Sequence, residues 1–285
     1  MSKKKGKIPQ QIGDYKIKKF LGHGGMATIY LGMDTKGRQA AIKVIRYDYA
    51  DKENFNERFL RECKATSSLS HPNIVELYEF GSFEGQPFYA MEYLPYPTME
   101  DRLEKDELFS EKELLEISQK VLSAIASYSQ RGLVHRDLKP SNVLLKDKTE
   151  PIIMDFGLVF NPDNTALTKT GEVCGTPAYM PPELLKGQKA DVRSDLYQWG
   201  VVLYECLCGE LPIGRPDPAA AFTMILNGEL RPLKEAKRDV TPGFATFVAN
   251  LMSILPAHRY QNPEAAIADV QHLLSGSNIR ALSAE

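Results

Sequence analysis

The chain is poor in everything that would hold a structural metal, a membrane or a nucleic acid. Its 285 residues include four cysteines, Cys63, Cys174, Cys206 and Cys208, of which no two stand in CxxC spacing, and no histidines pair as HxxxH. The zinc-ligand patterns are therefore absent, and the thiols read as reduced, in a cytoplasmic protein. Positive charge has no excess either: 35 lysines and arginines face 37 acids, a net charge of −2, with no basic cluster interleaved with aromatics. That excludes a surface devoted to nucleic acid. Long hydrophobic runs are missing. The most apolar stretch, Leu196 to Cys208, is interrupted by Gln198 and Glu205 and is too short to span a bilayer, so it reads as a buried core helix. The basic start, Ser2-Lys3-Lys4-Lys5-Gly6-Lys7, has no apolar h-region and no glycine at position two. It reads as a flexible solvated tail over residues 1–13, not a leader or a myristoyl anchor. A GxxxxGK motif followed by Ser or Thr is absent, which excludes the P-loop way of holding phosphates.

What is present falls into two parts. The length can bury a large core in one domain or two lobes without disulfide staples. From Tyr15 to Ile45 short β-like runs alternate with turns: Tyr15–Ile17, Thr28–Leu31 and Ala40–Ile45, with a turn at Thr35–Arg38. Phe55, Phe59, Leu60 and Cys63 then recur at helical spacing, which predicts a helix over about Asn54 to Ser68, ended by His71-Pro72-Asn73. Strands at Ile74–Phe80 and Pro87–Tyr93 follow, so five strands and one helix form a small first lobe. Leu94-Pro95-Tyr96-Pro97 is an extended connector. Beyond it the pattern is helical. Ser110 with Glu113 is a capping box opening a helix with the stripe Leu114, Ile117, Val121, Ile125 and Tyr128, closed by Gly132. Thr241-Pro242 and Asn262-Pro263 mark two further helix starts.

The chemistry gathers in His135-Arg136-Asp137-Leu138-Lys139-Pro140-Ser141-Asn142 and, a short strand later, Asp155-Phe156-Gly157. Two acids, a lysine and an asparagine at that spacing suit phosphoryl transfer. That reaction asks little covalent chemistry of a protein: a place for the acceptor's proton, oxygens for a divalent ion, and cations for the phosphoryl charge. Leu21-Gly22-His23-Gly24-Gly25-Met26-Ala27 lies between two strands, where glycines let backbone N–H groups approach phosphate oxygens. A dinucleotide-binding fold would follow such glycines with a helix; here a β-branched, strand-like run follows. Lys43 stands in an otherwise apolar strand and calls for an anion, for which Glu62 on the next helix is the candidate.

In this order, the glycine loop, Ala41-Ile42-Lys43, Glu62, His135-Arg136-Asp137, Asp155-Phe156-Gly157 and Pro181-Pro182-Glu183 resemble the eukaryotic-like serine/threonine protein kinases, from Tyr15 to Leu274. The Gly-Gly-Met-Ala wording is most similar to bacterial members. The resemblance implies an α+β, two-lobed fold: a small, mainly β N-lobe with one helix over residues 14–91, a hinge at 92–97, a larger, mainly α C-lobe over 98–275, and a tail at 276–285. It implies ATP and Mg²⁺ as cofactors, with Mn²⁺ as an alternative ion, and proteins bearing Ser or Thr as substrates.

Carried over residue by residue, the resemblance implies that Leu21, Gly22, His23, Gly24 and Gly25 cover the phosphates and that Lys43, paired with Glu62, holds the α- and β-phosphates. Ile29, Ala41 and Leu144 would sandwich adenine, with Met91 as gatekeeper and Glu92 and Leu94 offering backbone groups. Asp137 would take the acceptor's proton, Lys139 would neutralise the γ-phosphate, and Asn142 and Asp155 would hold the ions. Asp195 would brace the His-Arg-Asp turn, and Glu183 would pair with Arg259. Arg136 implies a phosphate on the activation segment, at Thr168 or Thr170, reached by autophosphorylation within a homodimer; Thr165 also lies in that segment. Thr176 would touch the catalytic loop. Ala27 replaces a third glycine, and Pro181 stands for the usual alanine. Thr66 takes a place usually apolar, in a stack with Leu77, Phe156 and His135. Two rival readings are a binding module that keeps the fold without turnover and a small-molecule kinase. The intact Lys43, Asp137, Asn142 and Asp155 weigh against the first, and the peptide-platform wording Gly175-Thr176-Pro177 against the second.

Overall fold

A computed structural model of the chain describes residues 8–24, 27–46, 52–156, 177–279 and 282, with the backbone alone at 52–56 and 58. The chain divides into two compact units, Met1–Ser70 with Val75–Pro95, and His71–Ile74 with Tyr96–Glu285.

The smaller unit is an antiparallel sheet with one helix. Its strands are β1 (Gln11–Ile12), β2 (Tyr15–His23), β3 (Ala27–Met33), β4 (Gln39–Ile45), β5 (Leu77–Phe83) and β6 (Gln86–Glu92), in the order β1-β2-β3-β4-β6-β5, and α1 spans Lys52–Thr66. One strand more is found than the sequence predicts. The two-residue β1 folds back on β2 through Gly13, whose φ of 54° suits glycine. A Cβ there would also meet Glu79 Oε1 at 2.5 Å and Phe88 Cζ at 2.7 Å.

Register sorts the side chains onto two faces, because residues directly opposite in a ladder point the same way. Ala40, Ile42 and Val44 share a face with Phe88 and Ala90 and close over Ile12 and Tyr15 to make an apolar core. Ala41 and Lys43 project to the other face, opposite Leu31 and Ile29 on β3 and Met91 and Tyr89 on β6. The helix α1 covers this second face: the rings of Phe59 and Tyr89 lie 6.3 Å apart.

Two boundaries depart from the sequence reading. The helix spans Lys52–Thr66, shifted slightly from the expected Asn54 to Ser68. The strand expected at Ile74–Phe80 starts only at Leu77. Ile74 instead forms a parallel bridge with Ile153, Asn73 Nδ2 donates to Pro151 O at 2.7 Å, and Ile153 N donates to Asn73 O at 2.9 Å. The short segment His71–Ile74 is thereby built into the larger unit.

That unit holds α2 (Met99–Leu103), α3 (Glu111–Ser129), the hairpin β7 (Val143–Asp147) and β8 (Glu150–Ile153), α4 (Pro182–Leu185), α5 (Val192–Cys208), α6 (Pro218–Asn227), α7 (Leu233–Ala236), α8 (Pro242–Leu251) and α9 (Pro263–Leu274). The caps at Ser110, Thr241 and Asn262 are where the sequence places them. A further capping box, Thr98 with Asp101, opens α2. The whole stripe Leu114, Ile117, Val121, Ile125 and Tyr128 is buried, and α3 packs against α5 and α9. The apolar run Leu196 to Cys208 lies inside α5, which Gly209 ends at φ 75°. Trp199 Nε1 donates to Ser118 Oγ at 3.1 Å, pinning α5 to α3 in the core. No helix among the described residues is long and apolar enough to cross a membrane.

The Ser110 box makes a stability prediction. Burial alone would raise the Glu113 pKa, but hydrogen bonds from Arg102 and from the Ser110 backbone and hydroxyl hold it at about 2. Ser110→Ala should cost about 1 kcal/mol in urea unfolding at neutral pH. A carboxyl depressed on folding contributes stability above its ordinary range near ~4.3 and loses it as pH falls through the folded value. The deficit of the variant should therefore narrow as the pH approaches ~2.

Candidate active site

In the larger unit, α3 stops at Ser129 and Gly132, at φ 71°, redirects the chain into residues 133–139. A short turn, Pro140–Asn142, then leads into β7. Among the described residues, 135–138 form no ladder with another strand, and side chains bind six of their main-chain polar groups. Asp195, fully buried on α5, accepts from His135 N, Arg136 N and the Tyr128 hydroxyl, each at 2.8 Å. Burial raises the Asp195 pKa, and the three donors act against that rise. Gln198 on the same helix bonds Leu138 N and Arg136 O. His135 is buried, and desolvation lowers its pKa, so the ring is neutral. It accepts from Asp137 N at Nδ1 (3.3 Å), which assigns the proton to Nε2, facing Met154 O at 3.0 Å. The expected bracing by Asp195 is found. Tyr128 and Gln198 were not singled out for this role in the sequence, because nothing local to either marks it.

Asp137, Lys139, Asn142 and Asp155 come together in this unit. Asn142 Nδ2 donates to Asp137 O at 2.7 Å and to Asp137 Oδ2 at 3.0 Å, while Lys139 Nζ meets the same Oδ2 at 3.1 Å. Both cationic and amide donors therefore crowd one carboxylate oxygen, and Oδ1 has no partner among the described residues. The amide of Asn142 is oriented by those two bonds, which leaves its Oδ1 as the end able to meet a cation. Met154 N donates to Asn142 O at 3.0 Å, so Asp155 follows directly from a residue tied to Asn142. Asp155 has φ 58° and Arg136 φ 68°, left-handed conformations that a non-glycine residue holds only where its surroundings impose them. Phe156 stacks 4.8 Å from His135 and 5.1 Å from Tyr128. No group of three or more His, Cys, Asp or Glu able to cage a metal is found among the described residues. An oxygen pair such as Asn142 and Asp155 fits magnesium, which takes few protein ligands and completes its shell with substrate phosphates and water.

The smaller unit carries the other candidates. Leu21, Gly22 and His23 end β2, and Gly24 N closes a turn onto Ala27 O at 2.9 Å. Gly22 and Gly24 have no positive φ, and a Cβ on Gly22 would meet nothing within 4 Å. Neither backbone strain nor crowding by the described residues requires glycine at Gly22. Ile29, Ala41, Lys43 and Met91 share the face under α1, and Lys43 Nζ lies 5.9 Å from the Tyr89 ring centre. Glu62 is three residues beyond Phe59, which places it on the same side of α1 as the ring that packs on Tyr89. Glu92 N is bonded to Glu76 O at 2.8 Å, and Leu94 makes no main-chain hydrogen bond among the described residues. Leu144 belongs to the larger unit, on β7 opposite Ile152.

Thr66 is buried, and its Oγ1 has no hydrogen-bond partner among the described residues. Such a group costs about 1–3 kcal/mol. Glu183 and Arg259 form the expected buried pair. Cys63 and Cys206 are buried thiols whose pKa is pushed up by desolvation, and that of Cys208 rises to about 11, so these three are inert. Gly25, Cys174 and Thr165, Thr168, Thr170 and Thr176 lie outside the described residues.

A six-stranded sheet with one helix, followed by a mainly helical unit whose catalytic-type loop is clamped to a buried central helix, is the architecture of a kinase. The family model of the protein kinase domain matches residues 15–270. The chain belongs to the protein kinase domain family. Among curated proteins it is 34% identical to serine/threonine-protein kinase PrkC of Bacillus subtilis over 91% of this chain and 40% of the relative. It is 33% identical to serine/threonine-protein kinase PknB of Mycolicibacterium smegmatis over 94% and 44%. The chain spans less than half the length of these relatives. Among solved structures, the PknI kinase domain of Mycobacterium tuberculosis superposes with a TM-score of 0.75 at 24% identity, over 93% of this chain and 99% of that one. A Rad53 fragment in complex with AMP-PNP superposes with a TM-score of 0.74 at 26% identity, over 89% and 64%.

Proposed function

We propose that the chain is a serine/threonine protein kinase that transfers the γ-phosphoryl group of ATP to protein hydroxyls, its own activation segment included, in the cell interior. The observation that carries this reading is the arrangement around Asp137. Asn142 and Lys139 occupy its Oδ2, so Oδ1 can accept the proton of an acceptor hydroxyl. Lys139, beside that carboxylate, supplies a positive charge where the phosphoryl oxygens would pass. Asn142 and Asp155 would hold the divalent ion, magnesium or manganese, which when bound neutralises and orients the phosphates. Lys43, on β4, would meet the phosphates, and Leu94 the adenine edge.

The glycine loop supports the same reading. Since nothing among the described residues demands glycine at Gly22, an external group passing close to the backbone would account for it. The Rad53 relative, solved with AMP-PNP, is a nucleotide-bound protein of the same fold. The Asp-Leu-Lys-Pro wording at Asp137–Pro140 and the serine/threonine kinase relatives support serine and threonine as acceptors. Thr168 and Thr170 are the proposed autophosphorylation sites, reached from a second copy in a homodimer. A partner of nucleic acid is not proposed.

Radiolabelled ATP with magnesium and a mixed Ser/Thr peptide substrate tests the reading. Wild type should label both the peptide and itself, with phosphate at Thr168 or Thr170 in a mass-spectrometric map. Lys43→Met should lower turnover ~10²-fold. Labelling of neither polypeptide, or an unchanged rate in the variant, would overturn the proposal.

A further inference from the structure

Gln198 lies three residues beyond Asp195 on α5 and is 3% exposed. A buried carboxamide must find partners for both its ends. Here Oε1 accepts from Leu138 N at 3.1 Å and Nε2 donates to Arg136 O at 3.0 Å. Those two groups flank Asp137 on either side. Four further polar groups of the segment are held by Asp195 (His135 N and Arg136 N), by the His135 ring (Asp137 N) and by Asn142 (Asp137 O). One turn of α5 thus supplies four of the six side-chain bonds to this backbone among the described residues, and Gln198 supplies the two nearest the acid that Asp195 does not reach.

We infer that Gln198 is a positioning residue for phosphoryl transfer, its carboxamide clamping the peptide groups on both sides of Asp137 and so fixing where the carboxylate meets the acceptor hydroxyl. The inference rests on the proposed role of Asp137 as the group that orients that hydroxyl. The chemistry of the amide suits the task. It carries a donor and an acceptor in one plane, so it pairs a carbonyl and an N–H two residues apart as a neighbouring strand would. An ionised carboxylate lacks the donor, and an aliphatic chain lacks both. The left-handed backbone of Arg136 increases the need for such a clamp, since that conformation relaxes if its restraints are removed.

The test uses Gln198→Glu and Gln198→Leu in the full chain, with steady-state kinetics in ATP and peptide across a range of pH. An ionised Glu keeps the bond to Leu138 N and repels Arg136 O; a protonated one reproduces the donor and acceptor of the amide. Burial raises a carboxyl pKa, which brings that protonation into the working range. At alkaline pH, kcat of Gln198→Glu should fall ~10- to ~100-fold with KM for ATP nearly unchanged. Its ratio to wild-type kcat should climb as the pH is lowered. Gln198→Leu should show a comparable loss with no acid recovery. A residue that merely filled the core would alter the melting temperature without producing this pH signature in kcat. Wild-type kcat for Gln198→Glu at alkaline pH, a loss that does not recover on acidification, or an effect confined to KM would each overturn the inference. If Gln198→Leu does not fold, the Glu variant decides alone. Asp137→Asn separates the two levels: wild-type turnover in that variant refutes the role of the acid, whereas its loss alongside an unaffected Gln198→Glu refutes the clamp only.

Discussion

Asp137→Asn should lose roughly 10²- to 10⁴-fold in kcat, the contribution of a placed general base, while ATP affinity changes little. The geometry makes this a clean substitution. Asn142 and Lys139 contact Oδ2, and the opposite oxygen, Oδ1, has no described partner. An amide keeps the size and planarity of the carboxylate, so the loop held by Asp195, Gln198 and His135 should stay in place. What is removed is the negative charge and its capacity to take a proton. The measurement is single-turnover phosphorylation of a peptide, with the thermal melt as a check on folding. A rate within a few-fold of wild type would mean that the acceptor's proton goes elsewhere and that the proposed chemistry of this loop is wrong.

Glu183→Ala should destabilise the fold by about 3–5 kcal/mol, because it leaves the fully buried Arg259 with an uncompensated charge. Arg259 Nη1 and Nη2 donate to Glu183 Oε1 and Oε2, both at 2.8 Å, and its other donors reach Ser253 O, Arg193 O and Ile254 O. The Ser194 hydroxyl also donates to Glu183 at 2.7 Å, and the guanidinium sits over the Tyr197 ring. Removing both charges, Glu183→Gln with Arg259→Met, should cost less than removing Glu183 alone, since no unpaired ion remains. Desolvation raises the Glu183 pKa, but the hydrogen bonds and charge of Arg259 outweigh it and the net shift is downward. Its stabilisation is therefore present above the ordinary carboxylate range and is lost as pH falls through the depressed folded value. Urea unfolding at several pH values would check both statements. Equal stability of Glu183→Ala and wild type at neutral pH would show that the pair contributes nothing.

Much of the candidate site was legible in the sequence, and the reason is locality. Asp137, Lys139 and Asn142 are close in the chain, so their mutual bonds follow from the turn they form. The capping boxes and the Thr-Pro and Asn-Pro helix starts involve residues within three positions of each other. By contrast, strand ends were misplaced where distant partners intervene, as at Ile74, which bridges to Ile153. The end of α1, at Thr66, falls close to the expected Ser68, because the helical spacing that marks it is local. Thr66 shows the same limit energetically, because nothing local reveals that its hydroxyl is enclosed without a partner among the described residues.

By itself the sequence offered the residues whose chemistry suits a phosphoryl group, the starts of the helices at Ser110, Thr241 and Asn262, and the residues that α3 turns inward. Those follow from side-chain chemistry and from periods of two and 3.6 residues, all readable along the chain. The Asp195 brace and the pairing of Glu183 with Arg259, 76 residues away, were reached only through the family resemblance, and only the tertiary structure decided that Tyr128 would join Asp195 and that Gln198 would close on both sides of Asp137. Packing brings these groups into contact, and a buried polar group must then bond to whatever packing places beside it.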